Sequence, residues 1–286
     1  MNNKIAIVTD SNSGILSSEA RELGITVIPM PFYINGDLYF EGTTLGQKDF
    51  YKFLEDNAEV STSQPSPADI LNTWDELLKD NDYIVHIPMS SALSGSCETA
   101  EMLSRDYEGK VLVVNNRRIS ITQLQSVRDA ITLVKKGKSP IEVKEILEAK
   151  QYEASIYVVP DDLDYLKKGG RITPAVASVA KVLNIKPVLE IQGEKLDAFK
   201  KVRGMKQAKK VMKEAMHNDL NTRFANAPSM RLYVAYAGGE ELGEMWKQEV
   251  QESFPNYEIE MYPLSLSVSC HTGPGALGIG CVEEII

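Results

Sequence analysis

The chain has 286 residues, of which 43% are hydrophobic and 25% charged, and its formal net charge is −9. This length predicts about two domains, and the composition is typical of a folded globular protein, which excludes disorder, collagen and coiled-coil arrays. Since Lys and Arg supply most nucleic-acid affinity, an acidic chain indicates a small ligand or a protein partner and no nucleic acid.

Strands alternate with helices over the first half of the chain. In chain order, the patterns predict a strand at 4–8, a helix at 17–24, a strand at 25–29, a hairpin over 32–40, a helix at 67–78, a strand at 83–87, a helix ending near 103, a strand at 111–114 and a helix from 140 to about 150. Such alternation is typical of parallel βαβ units with helices on both faces of the sheet. We therefore predict an N-terminal α/β domain over residues 1–150.

Three loops rich in hydroxyl groups follow this predicted alternation, at 9–13, 61–64 and 90–96. Parallel sheets bind ligands beyond the carboxyl ends of their strands, and the N-terminus of a helix favours a carboxylate or a phosphate. Each loop taken alone is more readily explained by helix capping. Their convergence on one sheet edge favours a site for an anionic group.

The pattern changes near residue 151. It predicts a strand at 156–159, helices at 163–168 and 175–183, a strand pair at 186–191 and 196–200, a helix at 206–217, a strand at 231–236, a helix at 240–253 and a last strand at 257–263, followed by a Ser- and Gly-rich tail. We predict a C-terminal α+β domain over residues 151–286 with a mainly antiparallel sheet.

The start of the chain and its cysteines indicate the compartment. Four apolar residues follow Lys4, too few for a secretory signal. The most apolar long window, 172–191, is interrupted by lysines and a proline and cannot span a bilayer. The three cysteines have no metal-ligand spacing. We expect a cytoplasmic protein with reduced thiols and no metal.

His271 is the histidine with the most suggestive surroundings, because it lies among small residues that let backbone approach a ligand closely. Arg171 follows two glycines and Arg203 stands in a basic segment. Each of these arginines is as readily explained as a solvated surface group. No Ser–His–acid set is evident from spacing, although geometry and not order defines such a triad.

Six segments in fixed order carry a family resemblance, namely Thr62-Ser63-Gln64-Pro65-Ser66, Leu93-Ser94-Gly95-Ser96, Leu166-Lys167-Lys168-Gly169-Gly170-Arg171-Ile172, Ile185-Lys186-Pro187-Val188, Arg203-Gly204 and His271-Thr272-Gly273-Pro274-Gly275. Together they resemble the DegV family of bacterial fatty-acid-binding proteins over essentially the whole chain. The resemblance implies an acyl carrier of a two-component fatty acid kinase. Such a carrier binds a long-chain fatty acid and presents it to an ATP-binding kinase subunit, which forms acyl phosphate for phospholipid synthesis.

The resemblance also implies residue roles. Thr62, Ser94 and His271 would bind the fatty-acid carboxylate, with help from the backbone at Gly95. Arg203 would face the kinase at the carboxylate mouth, with Ser63 and Arg171 supporting the same loops. The acyl chain would occupy a tunnel between the domains, for which the candidate lining residues are Ala175, Val179, Ile185 and Val188. No cofactor is implied, and transient membrane contact is compatible with this role.

Two departures from the family pattern bear on specificity. Ser96-Cys97 stands where the family often has Thr and an aromatic residue, and Asn115-Asn116 stands where it often has Asp-Ser. Neither change removes a proposed carboxylate ligand. Two alternatives stay open: an acyl hydrolase or transferase with Ser94 as nucleophile and His271 as base, and a sensor for another apolar carboxylate.

Overall fold

The computed structural model of the protein describes residues 3–170, 185–193 and 195–286. The α-helices within these residues are α1 (Ser17–Leu23), α2 (Gln47–Glu55), α3 (Pro67–Leu77), α4 (Ser96–Ser104), α5 (Ile121–Lys135), α6 (Pro140–Ala149), α7 (Leu163–Gly169), α8 (Gly204–Asn221), α9 (Glu240–Ser253) and α10 (Leu266–Thr272). The helix predicted at 175–183 lies outside the described residues.

A parallel four-stranded sheet forms the centre of the first half, as predicted. Its strands, in spatial order, are β2 (Thr26–Ile28), β1 (Ile5–Asp10), β6 (Tyr83–Ile87) and β7 (Val111–Val113). These strands are short and rich in branched apolar residues, which suit positions covered on both faces. Their carboxyl ends lie at one edge, from which the polar loops at 9–13 and 90–96 emerge.

The first half also contains a second, antiparallel sheet of three strands. It consists of the predicted hairpin, β3 (Pro31–Ile34) and β4 (Asp37–Phe40), together with β5 (Val60–Thr62). Asn35 and Gly36 both have positive φ, 51° and 91°, as a two-residue hairpin turn requires. Strand β5 ends at Thr62, so the hydroxyl-rich loop at 61–64 lies at the end of this small sheet.

The second half contains a six-stranded sheet. Its strands, in spatial order, are β10 (Asp197–Arg203), β9 (Ile185–Ile191), β8 (Ala154–Val159), β13 (Leu277–Glu283), β11 (Met230–Tyr236) and β12 (Ile259–Pro263). All neighbours are antiparallel except β11 and β12. The predicted fold class is therefore confirmed, with a parallel sheet in one half and a mainly antiparallel one in the other.

The prediction that the last strand ends at 263 is wrong, because the Ser- and Gly-rich segment after it forms a helix and another strand. Residues 266–272 form α10, and residues 277–283 form β13, an inner strand of the six-stranded sheet. Glycine weakens a strand signal, but here it serves close packing. A Cβ atom on Gly280 would lie 2.6 Å from Cδ1 of Ile121 and 3.3 Å from the Ser155 carbonyl oxygen, so a side chain here would require the Ile121 side chain of α5 to shift.

Helix ends follow the sequence signals where a side chain caps them. Ser139 and Glu142 form a capping box at the start of α6, and Pro67 opens α3 behind the capping hydroxyl of Ser66. The N-cap of α1 is Leu16, without a side-chain cap. Gly24 ends that helix in the left-handed conformation.

One hydrophobic core extends across the two halves. It includes Ile7 and Phe32 from the first half and Tyr233 and Leu266 from the second. Arg128 of α5 adds a polar connection, because its guanidinium donates to the Glu260 carboxylate at 2.8 Å. The parallel sheet ends at 113 and the six-stranded sheet begins at 154. A boundary at 150/151 stays a prediction.

Candidate ligand-binding site

A large cavity opens between the edge of the parallel sheet and one face of the six-stranded sheet. It holds about 980 Å³ of empty space, a volume that includes the solvent at its mouth. The apolar side chains that line it come from both halves: Met30, Met89, Leu93, Ile119, Ile121, Ile156, Val158, Leu166, Ile191, Leu196, Ala235, Leu264 and Val268. Such a wall suits a hydrocarbon chain.

Polar groups collect on one side of this cavity. We call Thr62, Ser63, Gln64, Ser94 and His271 the rim cluster, since all five line the cavity and are partly or fully exposed. Thr62 Oγ1 and His271 Nε2 hydrogen-bond at 2.9 Å, which joins the end of β5 to the end of α10. The structure thus brings together residues that lie 209 positions apart in the chain.

Close backbone packing fixes the imidazole of His271. A Cβ atom on Gly169, at the end of α7, would lie 2.0 Å from His271 Nδ1. No side chain can therefore occupy that position without displacing the ring. Gly273 makes a comparable contact, since a Cβ there would lie 2.4 Å from the ring of Tyr165. The glycines around His271 let α7 and α10 pack directly against each other.

The loop before α4 supplies the second part of the rim cluster. Ser94 Oγ accepts a hydrogen bond from the Ser96 backbone N–H at 3.2 Å, and Gln64 Nε2 donates to Thr99 Oγ1 at 3.0 Å. Gly95, at the N-cap position of α4, is exposed beside Gln64. Hydroxyl and imidazole donors at the start of a helix provide hydrogen bonds and a positive potential for one carboxylate.

A second polar group lies deeper, where the sequence alone predicts only another hydroxyl-rich loop. We call Thr9, Asp10, Asn12 and Gln123 the inner cluster, and each is at most 2% exposed. Asp10 accepts hydrogen bonds from the backbone of Met89 at 2.7 Å, from that of Asn12 at 3.0 Å and from Gln123 Nε2 at 3.2 Å. Burial nevertheless raises the pKa of Asp10 to about 6, because desolvation outweighs these donors.

Four further polar residues line the cavity without having been predicted as ligands, namely Asn12, Ser120, Ser267 and Thr272. Asn12 faces it from the inner cluster and receives hydrogen bonds on Oδ1 from Ser265 and Ser267. Thr272 faces it beside His271, and its buried hydroxyl has no partner among the described residues. The sequence signal for Thr272 is its position next to His271, whereas Gln64 and Asn12 stood in loops already noted as polar.

The remaining predicted residues lie elsewhere. Val188 is fully buried in a core formed with Val202 and Ala208, so its prediction as a tunnel residue is corrected. The reason is strand alternation: Leu189 and Ile191 face the cavity side, and Val188 faces the opposite side of the sheet. Ile185, at the start of β9, is not among the described residues that line the cavity.

Arg203 is not among the described residues that line the cavity. Arg203 ends β10 opposite Ile185 and is exposed, at the end of the sheet where Lys186 contacts Asp161 at 2.6 Å. Arg171 lies outside the described residues, as do two of the four tunnel candidates, Ala175 and Val179. Their roles stay predictions.

Within residues 3–170, 185–193 and 195–286, no three His, Cys, Asp or Glu side chains are grouped as metal ligands would be. No helix in those ranges is both long and apolar enough to cross a bilayer. Cys97, Cys270 and Cys281 are buried free thiols, and burial raises the pKa of Cys97 and Cys270 to about 12.

Known proteins are similar to this chain in sequence and in fold. A family model described as an uncharacterised protein of the DegV family matches residues 4–284. A DegV domain-containing protein of Listeria innocua is 30% identical over 283 residues, which cover 98% of each chain.

Two solved structures resemble the protein over nearly its whole length. A DegV family protein from Thermus thermophilus, described as fatty-acid binding, has a TM-score of 0.88 and 28% identity over 98% of this chain and 99% of its own. DegV from Bacillus subtilis, described as a fatty acid binding protein, has a TM-score of 0.86 and 28% identity over 99% of this chain and 100% of its own.

Proposed function

The chain belongs to the DegV family, and from this membership we propose that it binds a long-chain fatty acid in the cavity between its two halves. The observation that supports this proposal best is the form of the cavity. A wall of apolar side chains ends at a cluster of hydroxyl and imidazole groups centred on Thr62, Ser94 and His271. A molecule that is hydrocarbon along most of its length and anionic at one end matches both parts.

The energetics favour such a ligand. Each buried methylene contributes about 0.8 kcal/mol, so a long chain gains enough to offset the cost of ordering it. The carboxylate must lose water as it enters, and a buried charge without partners is strongly unfavourable. Thr62, Ser94 and His271 supply side-chain donors, and the backbone at Gly95 supplies the open end of α4.

We further propose that the protein is a carrier subunit without chemistry of its own and without a cofactor. In this role it presents the carboxylate, in the cytoplasm, to an ATP-dependent kinase subunit that forms acyl phosphate for phospholipid synthesis. Ser63 and Gly95 support this proposal because both are exposed beside the rim cluster, where a second protein could reach the head group. Arg203 is exposed and remains available to such a partner. Transient membrane contact would accompany loading of the acyl chain.

The geometry gives less support to an acyl hydrolase. A serine nucleophile needs a base at its hydroxyl, yet His271 Nε2 hydrogen-bonds to Thr62 and Ser94 Oγ accepts from the Ser96 amide. A sensor for another apolar carboxylate would use the same cavity. Reconstitution with an ATP-binding kinase subunit separates the two roles, because only a carrier would support acyl phosphate formation.

Mass spectrometry of the native protein tests lipid binding. The folded protein is purified from a bacterial host and extracted under denaturing conditions. We expect fatty acid in stoichiometric amount, since a ligand bound by many methylenes dissociates slowly. Well-folded protein that yields no lipid and takes up no added fatty acid would contradict the proposal.

A further inference from the structure

Helix α10 carries His271 but is too short to be stable by itself. It has seven residues, Leu266–Thr272, and His271 lies in its last turn. Isolated helices shorter than about 12 residues are marginal in water, so contacts with other elements must hold α10 in place. Whatever anchors its first turn therefore also sets where the imidazole lies.

One anchor of the first turn is Glu41, from the other half of the protein, in addition to the Ser265 cap and the contacts of Ser265 and Ser267 with Asn12. Its Oε2 accepts a hydrogen bond from the Leu266 backbone N–H at 2.9 Å. This N–H lies in the first turn of α10, where backbone N–H groups have no hydrogen-bond acceptor inside the helix. Gln47 completes the contact, because its Nε2 donates to Glu41 Oε1 at 2.8 Å and to the Leu264 carbonyl at 3.1 Å.

Tyr51 of α2 holds the middle of the same helix. Its hydroxyl and Ser269 Oγ lie 3.0 Å apart, and Ser269 is fully buried. Residues from one segment, 41–51, therefore contact the start and the middle of α10. Thr62 contacts its end through His271. The helix is thus positioned along its length by the half of the protein that also supplies the other donors of the rim cluster.

Glu41 occupies this position at a cost. Burial raises the pKa of its carboxyl group to about 7, and its partners are N–H donors; no lysine or arginine ion-pairs with it in the part of the chain that the structure describes. A glutamine of the same shape would avoid that desolvation. Polar groups that oppose local stability are frequent where function requires a fixed geometry.

We propose that Glu41 is a positioning residue for the bound carboxylate, acting through the first turn of α10 on His271. Glu41 does not line the cavity. It therefore acts on the ligand indirectly, through the position of this helix. The inference rests on the proposed fatty-acid binding. It predicts that Glu41 affects recognition of the head group and leaves the acyl cavity unchanged.

Two ligands of equal chain length separate these effects. Dodecanoic acid and 1-dodecanol fill the same apolar space, but only the acid presents a carboxylate to the rim cluster. In Glu41→Gln, the new side-chain NH2 group faces one of the two N–H donors and cannot accept its hydrogen bond. One of the two contacts is therefore lost while the shape of the side chain is kept. We expect the affinity of this variant for the acid to be about tenfold lower than that of the delipidated native protein. This change lies towards the lower end of the affinity changes that coupling between two sites usually produces.

The alcohol and two further variants serve as controls. Affinity for 1-dodecanol should change by less than about twofold, the scatter expected of independent sites. Tyr51→Phe, which removes the hydroxyl that contacts Ser269 and the Gly238 backbone, should show a smaller loss confined to the acid. Glu55→Gln, an exposed residue at the end of α2, should bind both ligands as the native protein does.

The outcomes distinguish the inference from its premise. Equal losses for the acid and the alcohol in Glu41→Gln would show a merely structural role and overturn the inference, as would unchanged affinity for both. Native protein that binds neither ligand would instead overturn the proposed function. A loss confined to the acid supports both.

Discussion

The rim cluster and the inner cluster are built from the same kinds of residue, yet they differ in what their polar atoms contact. In the inner cluster, both oxygens of Asp10 accept hydrogen bonds from within the protein. Thr9 Oγ1 likewise donates to the Ile87 carbonyl at 2.8 Å. In the rim cluster, the side chains are partly exposed and face an apolar cavity.

This difference assigns different roles to the two clusters. Polar groups satisfied inside a protein hold its elements in register, and removing one partner leaves the others unpaired at a large cost. Polar groups that face a cavity can exchange water for a ligand instead. The inner cluster should therefore contribute mainly to stability, and the rim cluster mainly to binding. Each prediction below tests that division.

The largest expected effect is on stability, in Asp10→Ala. The substitution leaves three buried N–H donors without their acceptor, and an unpaired buried group costs about 1–3 kcal/mol. We expect the free energy of unfolding to fall by about 4 kcal/mol at pH 7, measured by urea denaturation. Asp80→Ala, at an exposed position, is the matched control. A loss of unfolding free energy no greater than that of Asp80→Ala would contradict a structural role for the inner cluster.

A smaller effect concerns pH. Burial raises the pKa of Asp10 from 3.8 to about 6, so the folded protein binds this proton more tightly than the unfolded chain does. Its stabilising contribution is full below pH 3.8 and is lost as pH rises through about 6. Asp10→Asn abolishes this titration.

The difference in unfolding free energy between the native protein and Asp10→Asn measures this contribution. We expect that difference to fall by up to about 3 kcal/mol from pH 4 to pH 7 and to be flat above. Glu41, whose pKa burial raises to about 7, titrates in both proteins and cancels in the comparison. A difference that is constant over this range would show that Asp10 has an ordinary pKa.

Much of the fold could be predicted from local signals. Apolar runs ended by polar loops identified β1, β6 and β7, and an Asn-Gly turn identified the β3–β4 hairpin. The sequence patterns did not predict helix α5 or strand β13, because tertiary contacts and not local periodicity determine which residues form these two elements. Gly278 and Gly280 interrupt the apolar pattern of β13, and only the approach of Ile121 explains Gly280.

The candidate site was predictable only in part, and for a physical reason. The loops at 9–13, 61–64 and 90–96 have similar composition, so composition could not show that Asp10 and Asn12 are satisfied internally. The pairing of Thr62 with His271 depends on how two distant segments pack. Family resemblance pointed to both residues, whereas Glu41 and Gln64 had no local signal that separates them from surface polar groups.

The central claim is that the rim cluster binds a fatty-acid carboxylate, and the affinity of Thr62→Val for a long-chain fatty acid tests it most directly. Valine keeps the shape and the strand preference of threonine but removes one hydrogen bond to a charged group, worth about 1.5–3 kcal/mol. We predict an affinity about 10- to 100-fold lower than that of the native protein, with a free energy of unfolding lower by no more than about 1.5 kcal/mol, the cost of losing the hydrogen bond to His271. Thr73→Val, on α3 outside the cavity, should bind as the native protein does. Native affinity in Thr62→Val would contradict the claim.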